Sequence, residues 1–501
     1  MACRNRREFL RSGAFGLSAA GLLLATRKLF AAFQGANERI RIAVAGINSR
    51  GMEHIKNYCS LPDVEVAYLV DPDSRLFAMR SKWIEERTGK KPQCVQDLRR
   101  VLDDREVDAV SIASTNHWHS LQTIWACQAG KDVYVEKPCS HNIFEGRKLV
   151  EAARKYQRIV QHGTQSRSDP YWQAVVSAVR SGRYGKLLVA YGFASKPRRS
   201  IGFRWPKQPP AELDFDIWLG PAPQQPYHEN LVHYNWHWFW DFGNGEIGNQ
   251  GVHQMDIARW AMPEGAVPQS VISLGGRYGY QPQDQGQTPN TQLTIIDFGG
   301  PKIIFEDRGL VDAKTAKVDN EFLTTEGVIR HGRFFPKGKD QGEPLPELQG
   351  LQAPQVVTLR GNVEQPSDKK QPVKDPQALH FANFIASLRT RKNEQLNAEI
   401  SEGHLSSRLC HLGNLSYRLG KEVPLTREPE ELSGDEAAMA AFLSMKEHLV
   451  EVAGLQLEKT AYRLGKMLKF NAADDRFIDD SEADALLARP YRSLYVVPEE
   501  V

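Results

Sequence analysis

Several features that would point to a specialised class of protein are missing from this sequence. Six cysteines occur in 501 residues, with no C-x-x-C pair and no regular spacing, so structural zinc and a disulfide framework are both disfavoured. The net charge of +3 is spread along the chain without a basic block, which gives no indication of nucleic-acid binding. No internal repeat is visible. We predict no metal site and no nucleic-acid partner.

The N-terminus also lacks an apolar run of membrane-spanning length. The apolar stretch Gly13 to Ala25 is well short of the ~20 residues that a transmembrane helix needs. It follows Arg6-Arg7 and Phe9-Leu10, and this order resembles a twin-arginine (Tat) signal, which directs the export of folded proteins. We expect export to the periplasm through the Tat translocon. No clean A-x-A cleavage site follows, so a retained membrane anchor is the alternative.

The composition otherwise indicates a soluble globular chain. Hydrophobic residues make up 41% and charged residues 25% of the sequence, which is ordinary for such proteins. At roughly 150 residues per domain, the length predicts two or three domains with a substantial core.

A glycine-rich turn follows the first predicted strand. Arg39 to Ala45 is an apolar, β-prone run, and it ends at Gly46-Ile47-Asn48-Ser49-Arg50-Gly51. A turn of this kind, leading into a helix, presents backbone N–H groups to a pyrophosphate at the positive end of the helix. The pattern is G-x-N-x-x-G, so Asn48 replaces the second glycine of the usual fingerprint. Asn48 tolerates a positive φ better than most residues, which preserves the turn.

An acidic residue stands where a ribose-binding carboxylate belongs. Val64 to Val70 reads as the second strand, and Asp71 ends it about 20 residues beyond Gly51. A carboxylate at this position hydrogen-bonds the ribose and repels a 2′-phosphate, which favours NAD over NADP. Arg50 and Arg75 lie close enough in the sequence to keep NADP as the alternative.

Polar residues follow three further predicted strands. Strands and helices alternate from Arg39 to about residue 161, which predicts a doubly wound parallel sheet with helices on both faces. Ligands bind at the carboxyl ends of such strands, and these ends are Ser114 to His119, Glu136-Lys137-Pro138 and His162 to Arg167. We expect the first to be a loop beside a cofactor, with a helix beginning at Leu121. Pro138 restricts Lys137 to an extended geometry at the sheet edge.

The second half of the chain has a different pattern. Strand-like runs recur from Leu187 to Ile329, with Gly299-Gly300-Pro301 as a hairpin signal, and they predict a largely antiparallel sheet. Residues 331–375 are rich in Pro, Gly, Gln and Lys, which predicts a long surface excursion. Helices are predicted at Ala378 to Arg389 and Glu399 to Leu419, and a helical C-terminal extension follows.

Two neighbouring segments of the second half carry candidate substrate residues. Tyr234 to Phe242 interleaves aromatic residues with Asn, His and Asp, a composition that suits a sugar-binding platform. Gly243 to Trp260 contains a predicted helix from Asn249, on which Asn249 and His253 share one face and Asp256 lies a turn further on. Because of these neighbouring polar residues, we interpret His253 as a candidate catalytic residue. The alternative is that His253 has only a structural role.

Together these segments resemble the Gfo/Idh/MocA family, the glucose–fructose oxidoreductase and inositol dehydrogenase relatives. The matching residues are the glycine turn, Asp71, Ser114 to His119, Glu136-Lys137-Pro138 and the helix Gly251–Asp256. The resemblance implies a Rossmann domain, then a C-terminal α/β domain with an open, mostly antiparallel sheet, and an active site between them. It also implies that Lys137 is the catalytic lysine and His253 the acid/base histidine.

Two positions depart from the family pattern. One is Asn48 in the glycine turn, and the other is Asn249, which stands where the family has an acid four residues before its histidine. An amide cannot act as the carboxylate partner of an imidazole. Asp241, Glu246 and Asp256 are the candidates to replace it.

These observations define four predicted parts of the chain and a set of candidate site residues. The parts are a signal segment, 1–36; an NAD(P)-binding Rossmann domain, 37–160; a substrate-binding α/β domain, 161–425; and a helical extension, 426–501. The candidate cofactor contacts are Gly46, Asn48, Ser49, Arg50, Gly51, Asp71, Ser114, Asn116, His119, Glu136 and Lys137. The candidate substrate contacts are Gln165, Arg167, Trp205, Trp240, Asp241, Asn249 and His253.

The predicted function is a nicotinamide-dependent oxidoreductase, with tightly bound cofactor, acting on a CH–OH group of a sugar, polyol or glycoside. A neutral His253 would accept the alcohol proton, and Lys137 as an ammonium would stabilise the developing alkoxide. Two alternatives stay open: a redox-neutral glycosidase that oxidises, eliminates and re-reduces its substrate, and a non-catalytic sugar-binding protein. A homo-oligomer formed through the C-terminal domain sheet is a further expectation.

Overall fold

The computed structural model describes residues 39–280, 283–312, 315–351 and 375–501. The predicted signal segment, 1–36, and residues 352–374 of the predicted surface excursion lie outside these ranges. Within the described ranges, no helix is both long enough and apolar enough to cross a bilayer. The same residues contain no group of three or more His, Cys, Asp or Glu side chains that could hold a metal ion.

Six short strands form the sheet of the first domain. Their order is β3-β2-β1-β4-β5-β6, and every neighbouring pair is parallel. Both faces are covered, so the strand residues Ile42, Val44, Val110 and Val133 are fully buried. The strands are β1 (Ile40–Ala45), β2 (Val64–Val70), β3 (Gln93–Val95), β4 (Ala109–Ile112), β5 (Asp132–Val135) and β6 (Val160–His162). This sheet confirms the predicted Rossmann architecture.

The strand order reverses direction between β1 and β4, where an open α/β sheet binds its ligand beyond the carboxyl ends of the strands. The last strand, β6, carries the sheet past the predicted domain boundary at residue 160. The helices of this domain are α1 (Ser49–Ser60), α2 (Phe77–Thr88), α3 (Arg99–Leu102), α4 (Asn116–Gln128) and α5 (Ile143–Lys155).

Twelve strands form the sheet of the second domain. The path is β14-β13-β12-β11-β7-β10-β9-β8-β16-β15, with β17 paired to β8 and β18 to β17, and only β7 and β10 pair in parallel. This confirms the prediction of a mostly antiparallel sheet. The strands are β7 (Leu187–Ser195), β8 (Ser270–Gly276), β9 (Thr291–Asp297), β10 (Lys302–Arg308), β11 (Lys317–Thr324), β12 (Gly327–Arg330), β13 (Arg333–Pro336), β14 (Glu343–Pro344), β15 (Lys421–Pro424), β16 (Ala461–Leu464), β17 (Leu468–Asn471) and β18 (Arg476–Phe477).

Eight α-helices follow β6 in the described residues, and some of them cover the two faces of this second sheet. They are α6 (Pro170–Arg180), α7 (Phe215–Leu219), α8 (Gly245–Asn249), α9 (Gly251–Trp260), α10 (Pro376–Thr390), α11 (Ile400–Arg418), α12 (Glu436–Glu447) and α13 (Ser481–Asp484). Helices α9 and α11 bury Met255 and Leu409 against Phe305 on one face. On the other face α12 buries Phe442 against Ile272 and neighbouring strand residues. Part of the face expected to mediate self-association is therefore occupied by the chain's own helix.

Residues 486–501, the C-terminal segment, return to the first domain. Tyr495, Val497 and Val501 are buried in the same apolar cluster as Trp118 of α4. The backbone N–H of Phe144 donates to the carbonyl of Leu487 at 3.0 Å. The end of the chain therefore packs against the Rossmann domain after the second domain is complete.

Two parts of the second domain contain strands where the sequence predicts none. The surface excursion begins with β13 and β14, and the extension predicted as helical contains β16, β17 and β18 beside α12. Strand β11 is also absent from the prediction, because Lys317, Asp319 and Glu321 give it a polar face. Lys317 and Glu321 form an ion pair with each other at 2.9 Å, while pairing with β7 and β12 holds the strand.

Candidate functional site

The turn after β1 needs both of its outer glycines. Gly46 has a φ of +79°, and a Cβ there would lie 2.6 Å from the carbonyl carbon of Ala113. A Cβ on Gly51 would lie 1.8 Å from the carbonyl oxygen of Gly46. Asn48 has an extended backbone with a φ of −78°, so the tolerance for positive φ that the sequence suggested is not used. The replacement of the second glycine therefore leaves the turn intact.

The N-terminus of α1 is open to an anion. Asn48 occupies the N-cap position but makes no side-chain capping hydrogen bond, and the first turn of α1 contains no acidic residue. The N–H groups that begin a helix carry a partial positive charge and need acceptors. The candidate contacts Ser49, Arg50 and Gly51 begin this helix, so the turn fits a dinucleotide pyrophosphate.

Asp71 lies beside the glycine turn, as predicted for a ribose-binding acid. Its carboxylate accepts hydrogen bonds from the backbone N–H of Ile47 at 3.0 Å and of Asp73 at 2.9 Å. Burial raises the pKa of Asp71 to about 6, so the group is mainly ionised at neutral pH. A carboxylate has about four lone-pair sites, which leaves acceptors for a ribose diol.

The two arginines that could have received a 2′-phosphate are both paired. Arg75 donates from Nε to Asp73 at 2.8 Å, and Arg50 donates from Nε to Glu136 at 2.7 Å. Arg50 also donates a hydrogen bond to the side-chain oxygen of Gln377 in α10. Their charges are already matched within the protein, which favours NAD over NADP.

Glu136 connects several parts of the site. Its Oε1 accepts from Arg50, lies 3.1 Å from Nε2 of His54, and accepts from Gln165 at 3.4 Å. Burial alone would raise the pKa of Glu136, but Arg50 and His54 hold it well below its usual range. His54 is a partner of Glu136 that the sequence did not predict, because nothing in α1 distinguishes it from a core histidine.

The segment Ser114 to His119 differs in part from its prediction as a loop, since α4 begins at Asn116 and includes the last four of these residues. The nitrogens of His119 lie 2.6 Å from the carbonyl oxygen of Pro138 and 3.0 Å from that of Ser114. Ser114 donates its hydroxyl to Gln122 at 2.8 Å. His119 therefore joins the ends of β4 and β5, a structural role that its candidacy as a cofactor contact did not foresee.

Lys137 brings the two domains together. Its Nζ donates to the backbone carbonyl of Asn249, at the end of α8, at 2.7 Å. Burial lowers the pKa of Lys137 to about 8; Arg50 and Lys196 also lower it, while Glu136 opposes them. The ammonium form is therefore the main form at neutral pH.

His253 lies on α9, which is separated from α8 at Gln250 rather than continuous from Asn249 as predicted. Gly251 permits the close approach of α9 to the sheet, because a Cβ there would lie 2.4 Å from the ring of Phe305. Burial and then Lys137 lower the pKa of His253 to about 3. The imidazole is therefore neutral at neutral pH and able to accept a proton.

The three carboxylates proposed as partners of His253 have separate roles. Asp256 forms a buried ion pair with Arg167, whose Nε lies 3.0 and 2.9 Å from its two oxygens. Arg167, a candidate substrate contact, therefore has its charge matched within the protein. Asp241 accepts from Gln225 at 3.1 Å. Of the three, only Glu246 accepts a hydrogen bond from the side chain of Asn249, at 3.3 Å. Glu246 is therefore the carboxylate in contact with the position where the family has an acid.

Two tryptophans are among the candidate substrate contacts. Trp205 is 79% exposed and contacts Phe203 edge-to-face. Trp240 lies near the guanidinium of Arg418, with 5.3 Å from that group to the ring centroid.

Two cationic residues near Lys137 were not identified from the sequence. Lys196 bonds the side-chain oxygen of Gln250, and Arg198 forms an ion pair with the buried Glu246. A sequence signal existed, because Lys196 precedes Pro197 at the end of β7 just as Lys137 precedes Pro138. Burial opposes ionisation of Glu246, yet Arg198 keeps its pKa below the usual value.

Two family matches cover the segments that build this site. Residues 40–164 match the GFO_IDH_MocA oxidoreductase family, NAD-binding Rossmann fold, and residues 201–276 match the C-terminal alpha/beta domain of the same family. The chain belongs to the Gfo/Idh/MocA family. The first match contains the glycine turn, Asp71 and Lys137, and the second contains Asn249 and His253.

Curated relatives of this Gfo/Idh/MocA chain include both glycosidases and dehydrogenases. The chain is 26% identical over 207 residues to a Glycosyl hydrolase family 109 protein of Shewanella pealeana, covering 37% of this chain and 44% of the relative. It is 30% identical over 148 residues to Myo-inositol 2-dehydrogenase of Thermotoga maritima, covering 29% of this chain and 42% of the relative. The chain thus spans less than half the length of these relatives.

Solved structures share the arrangement of both domains. WlbA dehydrogenase from Bordetella pertussis, in complex with NADH and UDP-GlcNAcA, superposes with a TM-score of 0.54 at 18% identity, covering 76% of this chain and 97% of the other. Levoglucosan dehydrogenase, in complex with NADH and L-sorbose, superposes with a TM-score of 0.55 at 15% identity, covering 75% and 96%. At these identities the similarity establishes the fold.

Asp71→Ala should weaken NAD binding by about 10–100-fold, the scale for losing hydrogen bonds to a charged group. It should also narrow the preference for NAD over NADP, because the repulsion of a 2′-phosphate is removed. Titration calorimetry with both dinucleotides measures the effect. Asp97→Ala is the matched control, since that carboxylate follows β3 and bonds Arg99 instead. Equal affinity of the wild type for NAD and NADP would contradict the assignment.

Asn249→Asp should move the acid limb of the pH–rate profile to higher pH. His253 must be neutral to accept a proton, so the rate falls as pH drops through its pKa, and a nearby carboxylate raises that pKa by about 1–3 units. The alkaline limb, which reflects the loss of the Lys137 proton near pH 8 in the wild type, should also move to higher pH, because Lys137 bonds the backbone of residue 249 and the new carboxylate favours its ammonium form. Asn249→Ala, which adds no charge, is the control. An unchanged acid limb in Asn249→Asp would show that this position does not influence the imidazole.

Proposed function

We propose that this Gfo/Idh/MocA chain is an NAD-dependent oxidoreductase acting on a CH–OH group of a sugar, polyol or glycoside. The observation that carries the proposal is the contact of Lys137 with the end of α8, directly before the helix that carries His253. The Lys137 ammonium is held at 2.7 Å from the backbone of Asn249. A neutral imidazole stands four residues further along, and a turn suited to a dinucleotide follows β1, which β4 separates from β5 in the same sheet.

The chain's own residues divide the chemistry of alcohol oxidation. His253 accepts the hydroxyl proton at a ring nitrogen, and Lys137 stabilises the alkoxide that develops as this proton leaves. The glycine turn, Ser49 to Gly51 and Asp71 would hold NAD, which when bound supplies the hydride acceptor. Gln165 and Asn249 flank the same strand ends and are the remaining candidates for orienting substrate hydroxyls.

A redox-neutral glycosidase is the second candidate. It is supported by the relatives named as glycosyl hydrolase family 109 proteins and as an Alpha-N-acetylgalactosaminidase of Shewanella oneidensis. Oxidation of a ring hydroxyl would acidify a neighbouring C–H, and elimination would then release the aglycone and leave a C=C bond. Addition of water to that bond and reduction of the ketone would give the free sugar. The electrons return to the substrate, so a tightly held cofactor suffices and no net NADH forms.

Lys137→Ala should lower turnover by about 10²–10³-fold, the scale for losing one preorganised electrostatic donor. His253→Ala should lower it by about 10²–10⁴-fold, the usual contribution of a positioned acid or base. Neither is assigned a main role in holding NAD, so NAD affinity should stay near wild type. Single-turnover absorbance of NADH with a panel of sugars, polyols and aryl glycosides provides the measurement.

Lys421→Ala and His331→Ala are matched controls for these variants, because both side chains are exposed and far from the site in the fold. Net NADH with a free sugar supports the dehydrogenase, and aryl-glycoside cleavage without net NADH supports the glycosidase. Near-normal turnover in both Lys137→Ala and His253→Ala, with folding intact, would remove this catalytic pair. A wild type that binds sugars but turns over none would favour a sugar-binding protein.

We also propose export through the Tat route to the periplasm, motivated by Arg6-Arg7 before the short apolar stretch. A Tat substrate folds before export and can carry a bound cofactor with it, which suits a tightly held NAD. Arg6→Lys combined with Arg7→Lys should trap the protein in the cytoplasm, as measured by cell fractionation. Arg11→Lys, outside the pair, is the control. Normal export of the double variant would contradict the proposal.

A further inference from the structure

A small cavity lies apart from Lys137 and His253. It has a volume of about 50 Å³ and is lined by the segment after β5, the segment before α8, the end of α11 and the C-terminal segment. Its polar lining consists of His141, Asn142, Asn244, His411, Asn414, Arg418 and Arg489. The lining contains two arginines and two histidines but no carboxylate, so the cavity has a cationic wall.

Two hydrogen-bond donors of this cavity are buried without an acceptor. Arg489 donates from Nη1 to Nδ1 of His141 at 3.1 Å and to the carbonyl of Asp241 at 2.8 Å. Nδ1 of His141 is therefore an acceptor, and the ring proton lies on Nε2. Nε2 of His141 and Nη2 of Arg489 are both buried, and neither has a partner among the described residues. A buried donor without an acceptor is costly.

The positive charge of the wall is only partly offset, because Glu145 attracts Arg489 and Asp241 attracts Arg418 without an ion-pair contact. In the part of the chain that the structure describes, neither Arg418 nor Arg489 forms an ion pair with a carboxylate; Arg418 lies instead over Trp240, 5.3 Å from its centroid. The nearest acids face elsewhere: Glu145 bonds Asn142 at 2.9 Å, and Asp241 bonds Gln225. Arg418 is exposed, whereas Nη2 of Arg489 is buried without an acceptor, and a ligand with anionic oxygens would supply one.

The geometry points to a binding site for inorganic phosphate in this cavity. An oxyanion accepts hydrogen bonds from Arg489 and His141 and neutralises the wall, and charge-assisted bonds of this kind are the strong ones. The side-chain oxygen of Asn244 is a buried acceptor without a partner. Hydrogen phosphate has an O–H group to donate to it, whereas sulfate has none. The volume has room for about three to five waters, which suits one small free anion.

Occupancy of the site would link the end of the chain to the active-site region. Arg489 belongs to the C-terminal segment, His141 follows Lys137-Pro138 closely in sequence, and Asn244 precedes Glu246. The side-chain amide of Asn244 already donates to the carbonyl of His141 at 2.9 Å. Phosphate would therefore stabilise the contact between the C-terminal segment and the loops that carry Lys137 and Glu246.

The test is titration calorimetry and thermal unfolding of the full chain with sodium phosphate, against sodium sulfate and sodium chloride at equal ionic strength. Wild type should bind phosphate saturably, more tightly than sulfate, with a rise in Tm that chloride does not reproduce. Arg489→Gln should weaken phosphate affinity by about 10–100-fold. Arg492→Gln, in the same segment but bonded to Asp216 and Gly220, should keep the wild-type affinity.

Arg418→Gln, at a partly exposed position, gives a second variant if Arg489→Gln does not fold, and it should also weaken phosphate binding. Crystals grown with arsenate should show an anomalous peak between Arg489 and His141. No phosphate-dependent rise in Tm, an unchanged affinity in both arginine variants, or a peak only elsewhere would overturn the site. Tighter binding of glucose 6-phosphate than of inorganic phosphate would overturn the assignment to a free anion.

Discussion

The buried carboxylate of Glu136 is the interaction on which the site depends. One of its oxygens receives Arg50 from the start of α1, His54 from the same helix and Gln165 from beyond β6. Removing one partner of a buried charge typically costs about 3–5 kcal/mol, so this single carboxylate couples the glycine turn to two other strand ends. Gly163 passes directly beside it, where a Cβ would lie 3.0 Å from the carboxyl group.

Lys137 follows Glu136, and its bond to the backbone of Asn249 carries this network into the second domain. Burial and cationic neighbours lower the pKa of both Lys137 and His253, but from different starting values. The lysine stays mainly protonated at neutral pH while the imidazole stays neutral. A cation beside a neutral base is the combination that alcohol oxidation requires. The side-chain amide of Asn249 is uncharged and bonds Glu246. It therefore does not disturb the protonation states of Lys137 and His253.

The end of the chain fixes how the two domains meet. Tyr495 packs edge-to-face on Trp118 of the Rossmann domain, with ring centroids 5.4 Å apart. Arg492 donates to the carbonyl of Gly220 at 2.7 Å, next to α7 of the second domain. Because these contacts involve both domains, the C-terminal segment restrains the cleft between them. The same segment supplies the arginine that closes the small cationic cavity.

The sequence by itself determined the features that depend on neighbouring residues. The strands of the Rossmann sheet, the glycine turn with Asp71 after the next strand, and the position of Lys137 before Pro138 were predicted because local sterics and alternation set them. Only the tertiary structure decided which charges meet. Arg167 and Asp256 are 89 positions apart, and their pairing depends on how α9 packs. Trp205 is exposed for the same reason: long-range packing, which local patterns do not encode, assigns each side chain its surroundings.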